Sequence, residues 1–502
     1  MLQLESPDAN AAPIPRVGRM HPALIVGVIG TVIGFAGSWI PSYWGDEAAS
    51  VLSASRTWPS LGAMLLQIDG VHGLYYGFLK VWTALFGTSE AATRAPSAIA
   101  VGFMVAGTVV LARRFVGTRI AVIAGIIAAV LPRATYMAGE TRSYAIGAAA
   151  AVWITVLLVR TVRPDASRRL WLVYGLACAA AMYLFLYLGL VLVVHGIVVA
   201  LLSRARWRMW ARAAGFALLL AVPILVVGAI QREQIGFLAR RHYATAANIL
   251  TKQWFGYPLL AVAAWLLILT AAAWLILALV GRRPLGARMR LTVLTLTWLV
   301  APTVLLLIGN ALLAPMYNVR YLSFCAPAAA VLVALGIATI GETVVSHWRP
   351  ALTAVIATAL VAASIPVYIG QRAPWAKDGG SDWRAVAEYV QRNASGGVVL
   401  FDQTTKPSRD PRLALDIYPR AFAALDDIAL EAPFVARTRL WDRVADNADV
   451  TSEITGASQA WAVEARHGTA TPPDVALLEG LDYHVESAVL IHRITVYHLS
   501  KE

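Results

Sequence analysis

Apolar runs of about 20 residues, the length that carries a helix across a bilayer, recur along most of the chain between short polar stretches. Eleven spans are predicted, over 22–40, 95–112, 120–135, 144–160, 171–185, 186–202, 213–230, 257–280, 291–309, 322–341 and 350–370. No polar marker separates 171–185 from 186–202; they are divided because one span there breaks the alternation of loop charge described below. The stretch 74–87 is apolar but short and aromatic, and its spacing predicts an amphipathic interfacial helix. Beyond 370 the pattern changes. Trp383, Val386 and Val390 recur at helical spacing behind an N-cap-like Asp382, and Val398 to Phe401 reads as a buried strand. Trp461–Glu464 and Ile494–Leu499 are further strand candidates. The expected architecture is a mainly α, polytopic membrane helix bundle over 22–370, with its first large loop over 41–94. A cytoplasmic tail, 1–21, precedes it and a small extracytoplasmic α/β domain, 371–502, follows.

Composition supports this division. The chain is 59% hydrophobic and 14% charged with a mean hydropathy of +0.64, which excludes an ordinary soluble enzyme, a disordered chain and a disulfide scaffold. The net charge of +13 is not uniform: residues 1–370 carry 28 Lys and Arg against 10 Asp and Glu, whereas 371–502 carry 14 against 19. The basic excess therefore belongs to loops that orient membrane helices, and no nucleic-acid partner is expected. Basic clusters such as Arg113, Arg114 and Arg119, or Arg204, Arg206, Arg208 and Arg212, fall in alternate loops and place the N-terminus inside. Asp46, Glu47, Asp69, Glu90, Glu140 and Glu233 then fall outside, and eleven spans put the C-terminal domain outside too. The expected location is a multi-pass plasma-membrane protein with its chemistry on the outer face. The apolar start reads as an uncleaved first span. Cys178 and Cys325 lie in apolar stretches and read as core residues.

Ionisable residues concentrate in the loop 41–94. Asp46 and Glu47 stand side by side after the first span, followed by Asp69, His72, Tyr75 and Tyr76, then Glu90 and Arg94. Asp46-Glu47-Ala48-Ala49 is also a good helix start, so an exposed helix cap is the alternative reading. A carboxylate here can take the proton of an attacking hydroxyl, and partial burial is expected to raise its pKa toward the working range. A sugar with a lipid phosphate as leaving group needs cations, and guanidinium groups suit phosphate oxygens. Arg142 and Arg320, each beside a tyrosine at a span boundary, are the candidates, although such arginines also serve as snorkelling anchors. His72 taken alone reads as structural. Arg232, Arg240, Arg241, His242 and Lys252 in the loop 231–254 can attract anionic heads or form a solvated face. Tyr183, Tyr187 and His195 read as helix packing.

Together these motifs resemble the GT-C glycosyltransferase superfamily, in the branch of protein O-mannosyltransferases, aminoarabinose-to-lipid-A transferases and actinobacterial mannosyl- and arabinosyltransferases. The carriers are Trp44-Gly45-Asp46-Glu47, Asp69-Gly70-Val71-His72-Gly73-Leu74-Tyr75-Tyr76, Arg94-Ala95-Pro96-Ser97, Glu140-Thr141-Arg142-Ser143-Tyr144 and Arg320-Tyr321, over residues 22–345. The resemblance implies inverting transfer from a polyprenyl-phosphate sugar, with mannose favoured, to an envelope glycan, glycolipid or protein, without metal or other cofactor. It implies Asp46 as catalytic base or acceptor binder, with Glu47 assisting or structural. Arg320, Arg142, His72 and Tyr321 would hold the donor phosphate, and Asp69, Tyr75, Tyr76 and Glu140 the substrates. An arabinosyltransferase of the same fold is one alternative. A transporter or flippase of polyprenyl-linked lipids is another, but transporters tend to place ionisable groups at mid-membrane on repeated, broken helices, and the spans hold few such groups and no detectable repeat. An envelope sensor whose tail is the binding module is a third, against which the dense first loop argues, since a simple anchor needs no eleven spans.

Overall fold

The computed structural model describes residues 21–466, 468 and 470–501. The predicted tail 1–21, apart from the first helical residue, lies outside them. Helix α1 (His21–Phe35) is followed by a large loop holding α2 (Gly45–Ser55), α3 (Trp58–Leu65) and α4 (Gly73–Phe86). The chain then runs through α5 (Glu90–Ala112), α6 (Thr118–Val130), α7 (Pro132–Ala138), α8 (Tyr144–Thr161), α9 (Arg168–Leu184) and α10 (Gly189–Leu202). The bundle ends with α11 (Trp207–Ile230), α12 (Pro258–Val280), α13 (Ala287–Leu312), α14 (Ala326–Gly341) and α15 (Arg349–Gly370).

Every predicted span holds a helix, the first ending at Phe35. Among the described residues seven helical segments are long and apolar enough to cross a membrane on length and composition alone, or eight if the bent pair α6 and α7 is one span. Pro22–Phe35 and Leu186–Leu202 are apolar but shorter. One span is not the single helix expected. Pro132 disfavours helical geometry at Leu131, so α6 stops at Val130 and α7 leaves at 56°. Between α9 and α10, Phe185 is extended, which makes 171–202 two helices meeting at a turn. Helix α14 is sheathed by α5, α6, α12, α13 and α15 and forms the axis of the bundle.

After α15, α16 (Trp383–Asn393) leads into a four-stranded sheet of β1 (Val398–Phe401), β4 (Gln459–Ala465), β5 (His484–Ile491) and β6 (Ile494–Ser500), while β2 (Leu430–Ala432) and β3 (Arg443–Val444) form a separate ribbon. The sheet order is β1-β4-β6-β5, with β1 parallel to β4 and the remaining pairs antiparallel. Asp382 precedes α16 as expected but does not cap it: its carboxylate accepts from the N–H groups of Arg493 (2.8 Å) and Ile494 (2.9 Å), tying the helix start to β6. One sheet face packs Val399, Trp461 and Val496 against Trp383 and Val386, and Tyr43, Ala48, Val51 and Leu52 of the first loop enter the same core. The α/β unit and α2 are thus built on shared apolar contacts.

Candidate functional site

The site begins with a buried clamp. Arg94, at the start of α5, is completely enclosed and spends its guanidinium on one turn of chain. It donates to both Glu47 oxygens (2.8 and 2.6 Å) and to the carbonyls of Ser38, Pro41 (both 2.7 Å) and Ser42 (3.2 Å). Glu47 also accepts from the Thr141 N–H at 2.9 Å. Burial pushes the Glu47 carboxyl up, but Arg94 more than reverses this and keeps it ionised. The pair joins the first loop, α5 and the segment 139–143, and so fixes the residues on either side of it, Asp46 and Arg142.

Asp46, in the first turn of α2, points the other way. Its Oδ2 accepts from Arg320 Nη1 at 2.7 Å, while Arg142 Nη1 donates to its backbone carbonyl at 3.1 Å. Burial raises its pKa, yet Arg320 and Arg142 outweigh burial and hold it below the ordinary carboxylate range. The expected rise toward the working range is therefore corrected: the resting carboxylate is a counterion.

Arg320 lies at the entrance to α14, its guanidinium 4.7 Å from the Trp44 ring centre and 5.8 Å from that of Tyr144, with Glu140 at 3.9 Å. Glu140 is fully buried, and burial pushes its carboxyl up against the pull of Lys377 and Arg320. Arg142 also donates to Ser50 Oγ (3.2 Å), Tyr76 OH (3.4 Å) and His72 Nε2 (3.2 Å). Tyr76 passes the chain on to Asp69 at 2.7 Å. Burial, then Arg142, lower the His72 pKa to about 4, so at neutral pH the ring accepts from Arg142 and carries no charge. In this state it is a neutral acceptor and not a cation. Tyr321 stacks on Tyr187 with ring centres 4.8 Å apart.

Trp44, Asp46, Asp69, His72, Arg142, Arg320 and Tyr321 line one cavity of about 820 Å³. Glu47, Tyr75, Tyr76 and Glu140 do not line it; they stand behind the wall, Tyr75 in an apolar cluster with Leu61, Met64 and Leu79. The wall also contains residues that the sequence did not single out or assigned elsewhere. Tyr187, read as packing, faces the cavity from the turn between α9 and α10. Arg232, Arg240 and Arg241 line it from a loop anchored to the first loop, where Gln234 and Gln231 accept from the Asp69 N–H (3.0 Å) and Gly70 N–H (2.8 Å). Lys406, Ser408, Arg409 and Trp441 reach it from the α/β unit. Lys377 lies behind the wall, 4.0 Å from the Tyr136 ring centre; burial lowers its pKa to about 8 against the pull of Glu140 and Glu47.

An acidic turn facing the cationic mouth of a central helix, at one end of a bundle capped by an α/β unit, defines a class: a multi-pass membrane protein with the fold of the GT-C glycosyltransferases. Residues 74–231 match the family described as dolichyl-phosphate-mannose-protein mannosyltransferase. ArnT from Cupriavidus metallidurans bound to undecaprenyl phosphate has a similar structure, at 15% identity over 95% of this chain and 97% of that one, with a TM-score of 0.56. Its apo state is similar at 14% identity over the same shares, with a TM-score of 0.55. The Archaeoglobus fulgidus oligosaccharyltransferase in complex with Zn and sulfate is 12% identical over 88% of this chain and 68% of that chain, with a TM-score of 0.52. No curated protein matches in sequence.

Proposed function

We propose that this chain transfers a sugar, mannose in the first instance, from a polyprenyl-phosphate donor to a hydroxyl of an envelope glycan, glycolipid or protein on the outer face of the membrane. The observation that carries the reading is the contact of Asp46 with Arg320 at 2.7 Å, with Arg142 alongside, in a cavity of about 820 Å³. ArnT, whose structure is similar, has been captured with undecaprenyl phosphate. The description of the matching family favours mannose.

Arg320 and Arg142 bind the donor phosphate, and the phosphate competes with Asp46 for them. Binding thereby frees the Asp46 carboxylate of counterions and raises its basicity. The acceptor oxygen attacks C1 of the sugar from the face opposite the phosphate as Asp46 takes its proton. The C1–O bond breaks and polyprenyl phosphate leaves, its charge held by the two arginines. Glu47 positions and Asp46 reacts. Arg320, standing between Asp46 and Glu140, supplies the cation, so the reaction is proposed to run without metal.

Transfer from polyprenyl-phosphate-mannose to native envelope acceptors, with EDTA present, tests this in wild type and Asp46→Asn. Wild type is expected to be active and the variant slower by about 10²–10⁴-fold, the usual contribution of a general base. Equal rates remove Asp46 as base; transfer only from a polyprenyl-phosphate-arabinose donor reassigns the sugar.

A further inference from the structure

The cavity carries two groups of charges. On its floor Arg142 and Arg320 face Asp46 and Asp69, two cations against two carboxylates. At its rim Arg232, Arg240, Arg241, Lys406 and Arg409 face one carboxylate, Asp378. Arg409 is taken up by that carboxylate in a two-pronged pair at 2.9 and 2.8 Å. Among the described residues, Arg232, Arg240, Arg241 and Lys406 form no ion pair, although leaving four like charges around one opening is electrostatically unfavourable.

The segments that carry these cations are tied to the first loop. Gln231 and Gln234 fasten the loop of Arg232, Arg240 and Arg241 to the first loop. The segment of Lys406 and Arg409 lies on the turn that carries Asp46: a Cβ on Gly45 would overlap the Ser408 carbonyl oxygen and come within 2.9 Å of Ser408 Cβ. The rim cations thus line the same cavity as Asp46, and the segment that carries two of them packs on its turn.

We propose that the rim is a second anion site and that the acceptor is a phosphate-bearing molecule, its phosphate held by Arg240, Arg241 and Lys406 while its hydroxyl meets Asp46. This rests on the donor-site reading above. The phosphate can belong to a sugar or to a lipid, and the chemistry at the rim is the same.

The full chain in phosphatidylcholine nanodiscs, its donor site saturated with polyprenyl phosphate, is titrated with glucose 6-phosphate and with dioctanoyl phosphatidic acid. Glucose and dioctanoylglycerol serve as neutral controls. One phosphate probe is expected to bind more tightly than its control, and which one identifies sugar or lipid as the carrier. Arg240→Ala with Lys406→Ala is expected to weaken that binding by about 25-fold, about fivefold for each cation removed, and to leave polyprenyl phosphate affinity unchanged. Binding of both phosphate probes no tighter than the controls, or equal binding by wild type and variant, overturns the proposal. A parallel loss of polyprenyl phosphate affinity in the variant assigns the rim to the donor, overturning the acceptor assignment while the donor reading stands. Failure of polyprenyl phosphate to bind wild type overturns the donor reading and the acceptor assignment with it.

Discussion

Successive residues on a helix point about 100° apart, so neighbours can differ completely in environment. Asp46 looks into the cavity, whereas Glu47 is sealed under it against Arg94. Removing the Glu47 charge leaves the Arg94 guanidinium buried without its counterion, a change that costs about 3–5 kcal/mol. Glu47→Gln is therefore expected to lower the thermal midpoint clearly and to lose transfer with it. Asp46→Asn, at a partly open site, is expected to unfold near the wild-type temperature while losing transfer. Thermal unfolding measured beside transfer separates the roles; a stable but inactive Glu47→Gln would instead assign Glu47 to the chemistry. The sequence made the acidic pair visible but not its division of labour, because the deciding partner, Arg94, lies 47 positions away. His72 was legible as a polar contact at the right place, but its neutrality depends on burial beside Arg142.

Hydropathy located the membrane helices because lipid demands about 20 apolar residues wherever the chain crosses. It missed the break at Pro132, since a proline is compatible with a long apolar run until its neighbour's backbone is considered. It also passed over β5, an edge strand whose side chains are mostly exposed and carry no burial pattern. Least legible were the cavity residues supplied by other elements, Tyr187, Arg240 and Lys406, because nothing local shows which loop folds over which. Gly45 marks one such meeting. Its lack of a side chain lets the segment 406–409 rest on the first turn of α2. Gly45→Ala must push that backbone away, and overpacking of this kind costs about 1–3 kcal/mol. The expected result is a raised acceptor KM with donor binding little changed, checked by transfer kinetics with each substrate varied in turn. Unchanged acceptor KM would mean that the segment does not contribute to the acceptor side.

At the scale of the molecule, the membrane bundle and the α/β unit are coupled through α2, whose Ala48, Val51 and Leu52 lie in one core with Trp383, Val399 and Val496. Unfolding the α/β unit therefore strips α2 of its apolar support and leaves the turn of Asp46 held only from the bundle side, through Glu47 and Arg94. The division of charge at about residue 370 revealed a separate unit but not this coupling, because the shared core is assembled from residues more than 300 positions apart. The coupling gives the site a pH dependence that originates outside it. Glu464 on β4 is buried, and burial together with Asp474 and Asp402 pushes its carboxyl up to about 10. In the unfolded chain the same group titrates near the ordinary Glu value, about 4.3. Between those two values the folded state holds a proton that the unfolded state has released. The stabilisation is thus complete below the ordinary Glu range and is lost as pH rises through the window toward 10. The thermal midpoint of the α/β unit is expected to fall steadily from pH 5 to pH 9, with transfer activity after heating lost at the same temperatures. Glu464→Gln keeps the hydrogen-bonding shape without the titration and should make both curves shallower, the remaining slope coming from Asp410 and Asp416, whose carboxyls burial pushes up to about 6 and about 8. Differential scanning calorimetry beside residual transfer checks this; activity that outlasts the melting of the α/β unit would show that α2 keeps its place without it.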